Sequence, residues 1–225
     1  MNNLFYTTSV EKDSLLLSEQ EAVHCSLVLR KKVGDLIQVI DGKGNHFTCG
    51  IDSINKRGVR CSILQTKHHD LEERNIIAIA PTKNRDRLEW MIEKLVEIGV
   101  NKVILMNTTN TERNRTNTDR LDKKVISAVK QSLRFYKPDV EELEFHEVLK
   151  IDASNKFIAH CHKDLESTIL SNKTMGDNLI LIGPEGDFTK QEVVSAFEAS
   201  FEGLSLGDFR LRTETAAIVA LSRFS

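Results

Sequence analysis

The spacing of apolar residues changes character near residue 70, and the change divides the chain into two parts. In the first part, Ser18 followed by Glu21 has the spacing of a capping box ahead of Ala22, Val23, Leu27 and Val28, which predicts a short helix running to Leu29. Alternating runs follow. LIQVID and HFTCGID flank the turn Gly42-Lys43-Gly44-Asn45, the pattern of a hairpin, and GVRCSILQ adds a further strand after the turn of residues 55–58. Residues 1–70 are therefore expected to form a small β-barrel carrying one helix.

The polar stretch KHHDLEERN marks the boundary, and residues 71–225 repeat a different unit. Five short apolar runs, IIAIAP, VILMN, KFIAH, LILIG and LSLG, are each followed by a helical pattern. This is the βα alternation of a parallel sheet covered on both faces. The most regular helix is expected from near Asp86, where Leu88, Met91, Ile92, Leu95 and Val96 share one face, to Gly99, which ends it. The last segment, TETAAIVALSRF, is apolar around most of its circumference and should be buried against the sheet or against another chain.

Composition narrows the class. With 225 residues, 40% hydrophobic and 28% charged, the chain suits a globular protein with one large core or two small ones. No apolar run nears the roughly 20 residues that span a bilayer, and the polar, acidic start lacks the core of a signal peptide, so a cytoplasmic location is expected. The cysteines Cys25, Cys49, Cys61 and Cys161 show no C-x-x-C spacing, which suggests buried thiols rather than zinc ligands or disulfides. A formal net charge of -2 says nothing of local patches.

Patches do exist. The segment from Glu112 to Lys137 holds eight Lys or Arg, including Arg113, Arg115, Lys130 and Arg134, against three acids. It reads either as a strip for phosphate contacts or as a solvated helix face. Arg30, Lys31 and Lys32 form a second basic cluster at the predicted end of the first helix, where the helix dipole is the simpler explanation.

In an open parallel sheet, ligands bind beyond the carboxyl ends of the strands. Three loops qualify: His160-Cys161-His162, Gly183-Pro184-Glu185-Gly186-Asp187, and the stretch from Leu206 to Thr213. Taken alone, the second is an ordinary tight turn into a helix capped by Asp187 or Thr189. Neither G-x-G-x-x-G nor the Walker lysine spacing is present, which disfavours nucleotide-phosphate enzymes. His160 and His162 have no third ligand at a recognisable spacing, so no metal site is expected.

Several motifs agree in order with one family. HCSLVLR, IQVIDGKGN, RLEWMIEKLVEIGV, TERNR and AVKQSLRFYKP, and above all LIGPEGDFT and LGDFRLRTETA, resemble the RsmE family of SPOUT RNA methyltransferases over nearly the whole chain. The resemblance implies a small PUA-like β-barrel domain for RNA docking, followed by an α/β knotted SPOUT methyltransferase domain with a parallel sheet and a trefoil knot. It further implies S-adenosylmethionine as cofactor, a homodimer, and 16S rRNA or the small ribosomal subunit as substrate, methylated at N3 of a uridine. The cofactor is expected against Ala159, His160, Ile182, Gly183, Pro184, Glu185, Gly186, Leu206, Gly207, Leu211, Arg212 and Thr213, with RNA on Arg30, Lys31, Arg113, Arg115, Lys130 and Arg134.

Two residues depart from the family pattern. Asp187 stands where a second glycine is usual, and Phe209 where an arginine is usual, which puts that arginine's role in doubt; Arg210 is its neighbour. For the chemistry, Arg212 is nominated either to stabilise a deprotonated base or to grip a phosphate. Glu185 or Glu214 would accept the N3 proton, or else fix the loops. The competing readings are a SPOUT enzyme acting on another RNA or at a ribose hydroxyl, and a non-catalytic RNA-binding assembly factor.

Overall fold

The computed structural model describes residues 4–112, 118–169 and 175–224. It divides into two compact units, residues 1–71 with 129–137, and residues 72–128 with 138–225.

The first unit is a five-stranded sheet in the order β1-β3-β4-β5-β2. Its strands are β1 (Leu4–Tyr6), β2 (Ser14–Leu17), β3 (Leu36–Ile40), β4 (Asn45–Asn55) and β5 (Gly58–His68). The predicted hairpin is β3 with β4, and β5 returns antiparallel beside β4. Thr7 draws the two ends of the strand order together: its amide donates to the Ile40 carbonyl at 3.0 Å and its hydroxyl to the Leu16 carbonyl at 2.6 Å. Phe5, Leu15, Leu17, Val39, Phe47 and Ile51 fill the core with Cys25, Cys49 and Cys61. Burial pushes the thiols of Cys49 and Cys61 up to about 12, so both are inert near neutrality.

The helix α1 (Glu19–Val23) widens into a π-helical turn, His24–Val28, before ending at Leu29. Its capping box does not form. The Ser18 side chain makes no cap bond, and the Glu21 carboxylate instead accepts from the Tyr6 amide at 3.3 Å and pairs with Lys130. Lys130 belongs to the second departure from expectation, since residues 129–137 join this unit rather than the one that surrounds them in sequence. Gly44 N–H donates to the Phe135 carbonyl, Lys137 N–H to the Gly42 carbonyl and the Tyr136 hydroxyl to the His69 carbonyl, while His69 stacks on Phe135 at 3.7 Å between ring centroids.

The second unit is built on six strands, all parallel, in the order β11-β9-β10-β6-β7-β8. They are β6 (Asn75–Ile79), β7 (Lys102–Asn107), β8 (Asp139–Glu144), β9 (Asn155–Ala159), β10 (Asn178–Ile182) and β11 (Glu202–Leu204). The sequence pattern misses β8. As the edge strand it pairs only with β7, and its D-V-E-E-L-E composition lacks the continuous apolar run of a strand buried on both sides.

The helices are α2 (Arg85–Ile98), α3 (Thr118–Gln131), α4 (Phe145–Val148), α5 (Lys190–Glu198) and α6 (Thr213–Leu221). Side chains on one face of the sheet, Ala78, Ile104, Ile158, Leu179 and Leu181, pack with Phe188, Val193 and Ala196 at and inside α5. The last helix, α6, packs on α2, β6 and β10, so its apolar circumference is largely accounted for within its own unit. Among the described residues, no helix is long and apolar enough to cross a membrane.

Candidate functional site

Strand order brings three loops together. Ala159, the last residue of β9, is in register with Ile182 at the end of β10 on one side and with Leu204 at the end of β11 on the other. The three strand ends are level, so the loops that leave them emerge side by side. They surround a cavity of about 740 Å³. That size lies within the range of small-molecule sites, roughly 300 to 1,000 Å³.

Every residue expected to meet a cofactor lines this cavity except Gly186. A Cβ built on Gly186 would meet nothing closer than the Asn110 side chain at 3.6 Å, an ordinary contact. Of the two glycines in this loop, Gly183 is the one a side chain would crowd. Its Cβ would come within 3.1 Å of the Phe188 ring, which is 1% exposed and has nowhere to move. Ile182, Leu204, Leu206, Leu211 and Ala216 supply the apolar part of the lining; Glu185, Asp187, Asp208, Arg210 and Arg212 supply charge.

Hydrogen bonds fix the loops. Thr189 caps α5, its hydroxyl accepting from the Glu192 amide at 3.2 Å while the Glu192 carboxylate accepts from the Thr189 amide. The same carboxylate accepts from the Thr109 amide and hydroxyl at 2.8 and 3.1 Å, tying the loop after β7 to α5. Burial pushes the Glu192 carboxyl up, but the bonds from Thr109 and Thr189 outweigh it and hold the group below its ordinary value.

The two histidines of the first loop serve as struts. His160 Nε2 donates to the Glu166 carbonyl at 3.2 Å and His162 Nε2 to the Phe188 carbonyl at 2.7 Å. Burial is the main reason the His160 imidazolium is disfavoured. Cys161, between them, is exposed at the cavity wall, unlike the three buried cysteines and contrary to expectation. No group of three or more potential metal ligands occurs among the described residues.

The charged candidates separate. Arg210 Nη2 donates to the Glu185 carbonyl at 2.8 Å, while among the described residues the Arg212 guanidinium, exposed at the rim, has no partner. Glu185 is exposed on the cavity wall. Glu214 lies outside the lining; it is 7% exposed and its carboxylate faces Arg87 Nε at 3.9 Å. That placement supports a structural part for Glu214 rather than contact with substrate. Phe209, in the family's arginine position, is 87% exposed on the rim.

Of the expected RNA-contacting residues, Arg30, Lys31, Lys130 and Arg134 belong to the first unit. Arg113 and Arg115 lie outside the described residues. Lys130 is engaged by Glu21, and burial lowers the Arg134 guanidinium to about 10, still cationic near neutrality. Arg30 and Lys32 are exposed, and Lys31 donates to the Leu36 carbonyl at 3.3 Å.

A family model described as an RNA methyltransferase domain matches residues 70–225, and one described as an RNA methyltransferase PUA domain matches residues 17–64. The chain belongs to the RNA methyltransferase family that these models describe.

Its relatives agree. Ribosomal RNA small subunit methyltransferase E of Rickettsia conorii is 30% identical, the match covering 99% of this chain and 94% of the relative. A structure described as a probable rRNA-methyltransferase from Porphyromonas gingivalis superposes with a TM-score of 0.89 at 38% identity, covering 97% of this chain and 95% of that one. The methyltransferase E of Neisseria gonorrhoeae, bound to S-adenosyl methionine, superposes with a TM-score of 0.80 at 28% identity, covering 99% and 96%. The first unit is thus the PUA-like domain of the methyltransferase E family, and the second its SPOUT methyltransferase domain.

Proposed function

We propose that the protein transfers a methyl group from S-adenosylmethionine to N3 of a uridine in the small-subunit ribosomal RNA. One observation supports this above the others: the level ends of β9, β10 and β11 gather a cavity with apolar and charged lining, whose rim carries an Arg212 guanidinium without a partner among the described residues. The cavity fits the cofactor in size and character. Leu206 and Leu211 are suited to the faces of an adenine, and backbone groups of residues 182–185 and 211–213 to its polar edge.

When bound, S-adenosylmethionine supplies an electrophilic methyl on a sulfonium, open to in-line displacement. The chain's own residues must align the acceptor and make its nitrogen nucleophilic. Uracil N3 carries a weakly acidic proton, and a guanidinium beside O2 or O4 favours the anion left by its loss. The exposed Arg212 guanidinium at the rim supports giving it that part. Arg210 is not given it, since its guanidinium is held by the Glu185 carbonyl. Exposure of Glu185 on the cavity wall supports its carboxylate as the acceptor of the proton.

We also propose that the enzyme works in the cytoplasm as a homodimer. Ile218 and Val219 of α6 remain partly exposed after α6 has packed on its own unit, and a partner subunit would cover them. Sedimentation at micromolar concentration distinguishes dimer from monomer. Calorimetric titration with S-adenosylmethionine tests the cofactor reading itself: saturable binding at one site per chain is expected, and its absence overturns the reading.

A further inference from the structure

The β9-β10 ladder stops at Ala159 and Ile182, and the two loops part to form the cavity wall. They are joined again at Asp187. Its Oδ2 accepts from the Cys161 amide at 2.9 Å, across to the loop after β9, and its Oδ1 accepts from the Phe188 amide at 2.8 Å. His162 adds a parallel tie by donating to the Phe188 carbonyl at 2.7 Å, with its Nε2 3.9 Å from Asp187 Oδ2. The Asp187 backbone is held as well, its N–H donating to the Pro184 carbonyl at 2.9 Å and its carbonyl accepting from Asn110 Nδ2 at 3.0 Å.

The backbone argues against this residue. Asp187 has φ of 64°, the left-handed region where a side chain is a cost and glycine carries none. Glycine would satisfy the turn but leave the Cys161 and Phe188 amides without this acceptor. A charged acceptor bonded to two amides is among the stronger polar contacts available. The side chain and the backbone therefore favour opposite residues at position 187.

We infer that Asp187 is a positioning residue, a clasp that holds the loops after β9 and β10 at the separation needed to receive the cofactor. The inference rests on the reading of the cavity as the S-adenosylmethionine site. It commits to a rank order. If the clasp matters, cofactor affinity falls in the order Asp, Asn, Gly at position 187, because Asn tolerates the left-handed backbone yet has only one acceptor oxygen for two amides. If only the backbone matters, glycine binds as well as aspartate or better.

The test uses the full-length chain as wild type, Asp187→Asn and Asp187→Gly. Calorimetry with S-adenosylmethionine should give a dissociation constant roughly ten- to a hundred-fold weaker for Asp187→Gly and an intermediate one for Asp187→Asn. In a methyl-transfer assay, KM for the cofactor should rise while kcat at saturation stays within about three-fold, a split that general unfolding would not give. NMR hydrogen exchange supplies a readout independent of ligand: the Cys161 amide should exchange faster in Asp187→Gly, with the sheet amides of Leu179 to Leu181 unchanged.

Equal affinities and equal Cys161 exchange in all three proteins would overturn the clasp. A wild type that fails to bind S-adenosylmethionine overturns the cofactor reading instead. The Cys161 exchange rates then decide whether Asp187 joins the loops at all.

Discussion

The guanidinium of Arg210 bonds the carbonyl of Glu185 across the cavity at 2.8 Å, and this engagement separates it from Arg212, two residues on. One arginine braces the loop after β10, and the other has no partner among the described residues. Arg210→Ala should raise KM for the cofactor several-fold with little change in kcat. Arg212→Ala should leave cofactor affinity within several-fold while turnover falls by about two to three powers of ten, the scale for losing one electrostatic stabiliser. Calorimetry and a methyl-transfer assay check both, and an Arg212→Ala enzyme that loses the cofactor places this arginine in the binding site instead.

Gly183 and Gly186 should respond differently to added bulk. Valine at 183 drives a β-branched side chain toward the immobile Phe188 ring, a clash worth about 1 to 3 kcal/mol, and should weaken both cofactor binding and thermal stability. Alanine at 186 meets only the Asn110 side chain and should change cofactor affinity by less than about three-fold, an effect under roughly 1 kcal/mol. The same titration and a thermal melt distinguish them.

Glu192 should make stability depend on acid. Its folded-state carboxyl lies below the ordinary glutamate value of 4.5, so its contribution is complete above that value and is lost as pH falls through the folded one. Glu192→Gln keeps the shape but not the charge and should cost about 1 to 3 kcal/mol at pH 7, with the difference from wild type shrinking as pH drops below 4.5. Melts across that range would show it; a constant difference would contradict the assignment.

Salt dependence should follow exposed cations rather than engaged ones. Substituting Arg30 and Lys32 together with alanine should weaken RNA binding and reduce the slope of log affinity against log salt by about one to two. Lys130→Ala should instead lower the melting temperature, because it removes the cation paired with Glu21. Filter binding at several salt concentrations separates the two effects.

Much of this arrangement is legible in the sequence because local chemistry dictates it. Apolar runs ending in Gly183-Pro184 or Leu206-Gly207 announce strands that stop at loops, and Thr189 with Glu192 announces the helix that follows. What is illegible depends on tertiary placement. Residues 129–137 join the first unit through pairings with Gly42, Gly44 and His69, which no local pattern encodes. Ser18 and Glu21 have capping spacing, yet Tyr6 and Lys130 compete for the Glu21 carboxylate and win. Arg210 and Arg212 are the same residue type two positions apart, so spacing alone treats them alike. The structure engages the first with the Glu185 carbonyl and gives the second no partner among the described residues, a distinction of neighbours in space rather than in sequence. Asp187 is visible as a departure from a glycine pattern, but its reason, a carboxylate between two loops, appears only when β9 and β10 lie side by side.

Mass-spectrometric mapping of small-subunit rRNA from cells with and without the gene, complemented by wild type or Arg212→Ala, tests methylation of a uridine at N3 most directly. One N3-methyluridine should vanish without the gene, return with wild type and stay largely absent with Arg212→Ala. An rRNA whose modifications are identical with and without the protein, or a lost methyl that maps to a ribose hydroxyl, would contradict it.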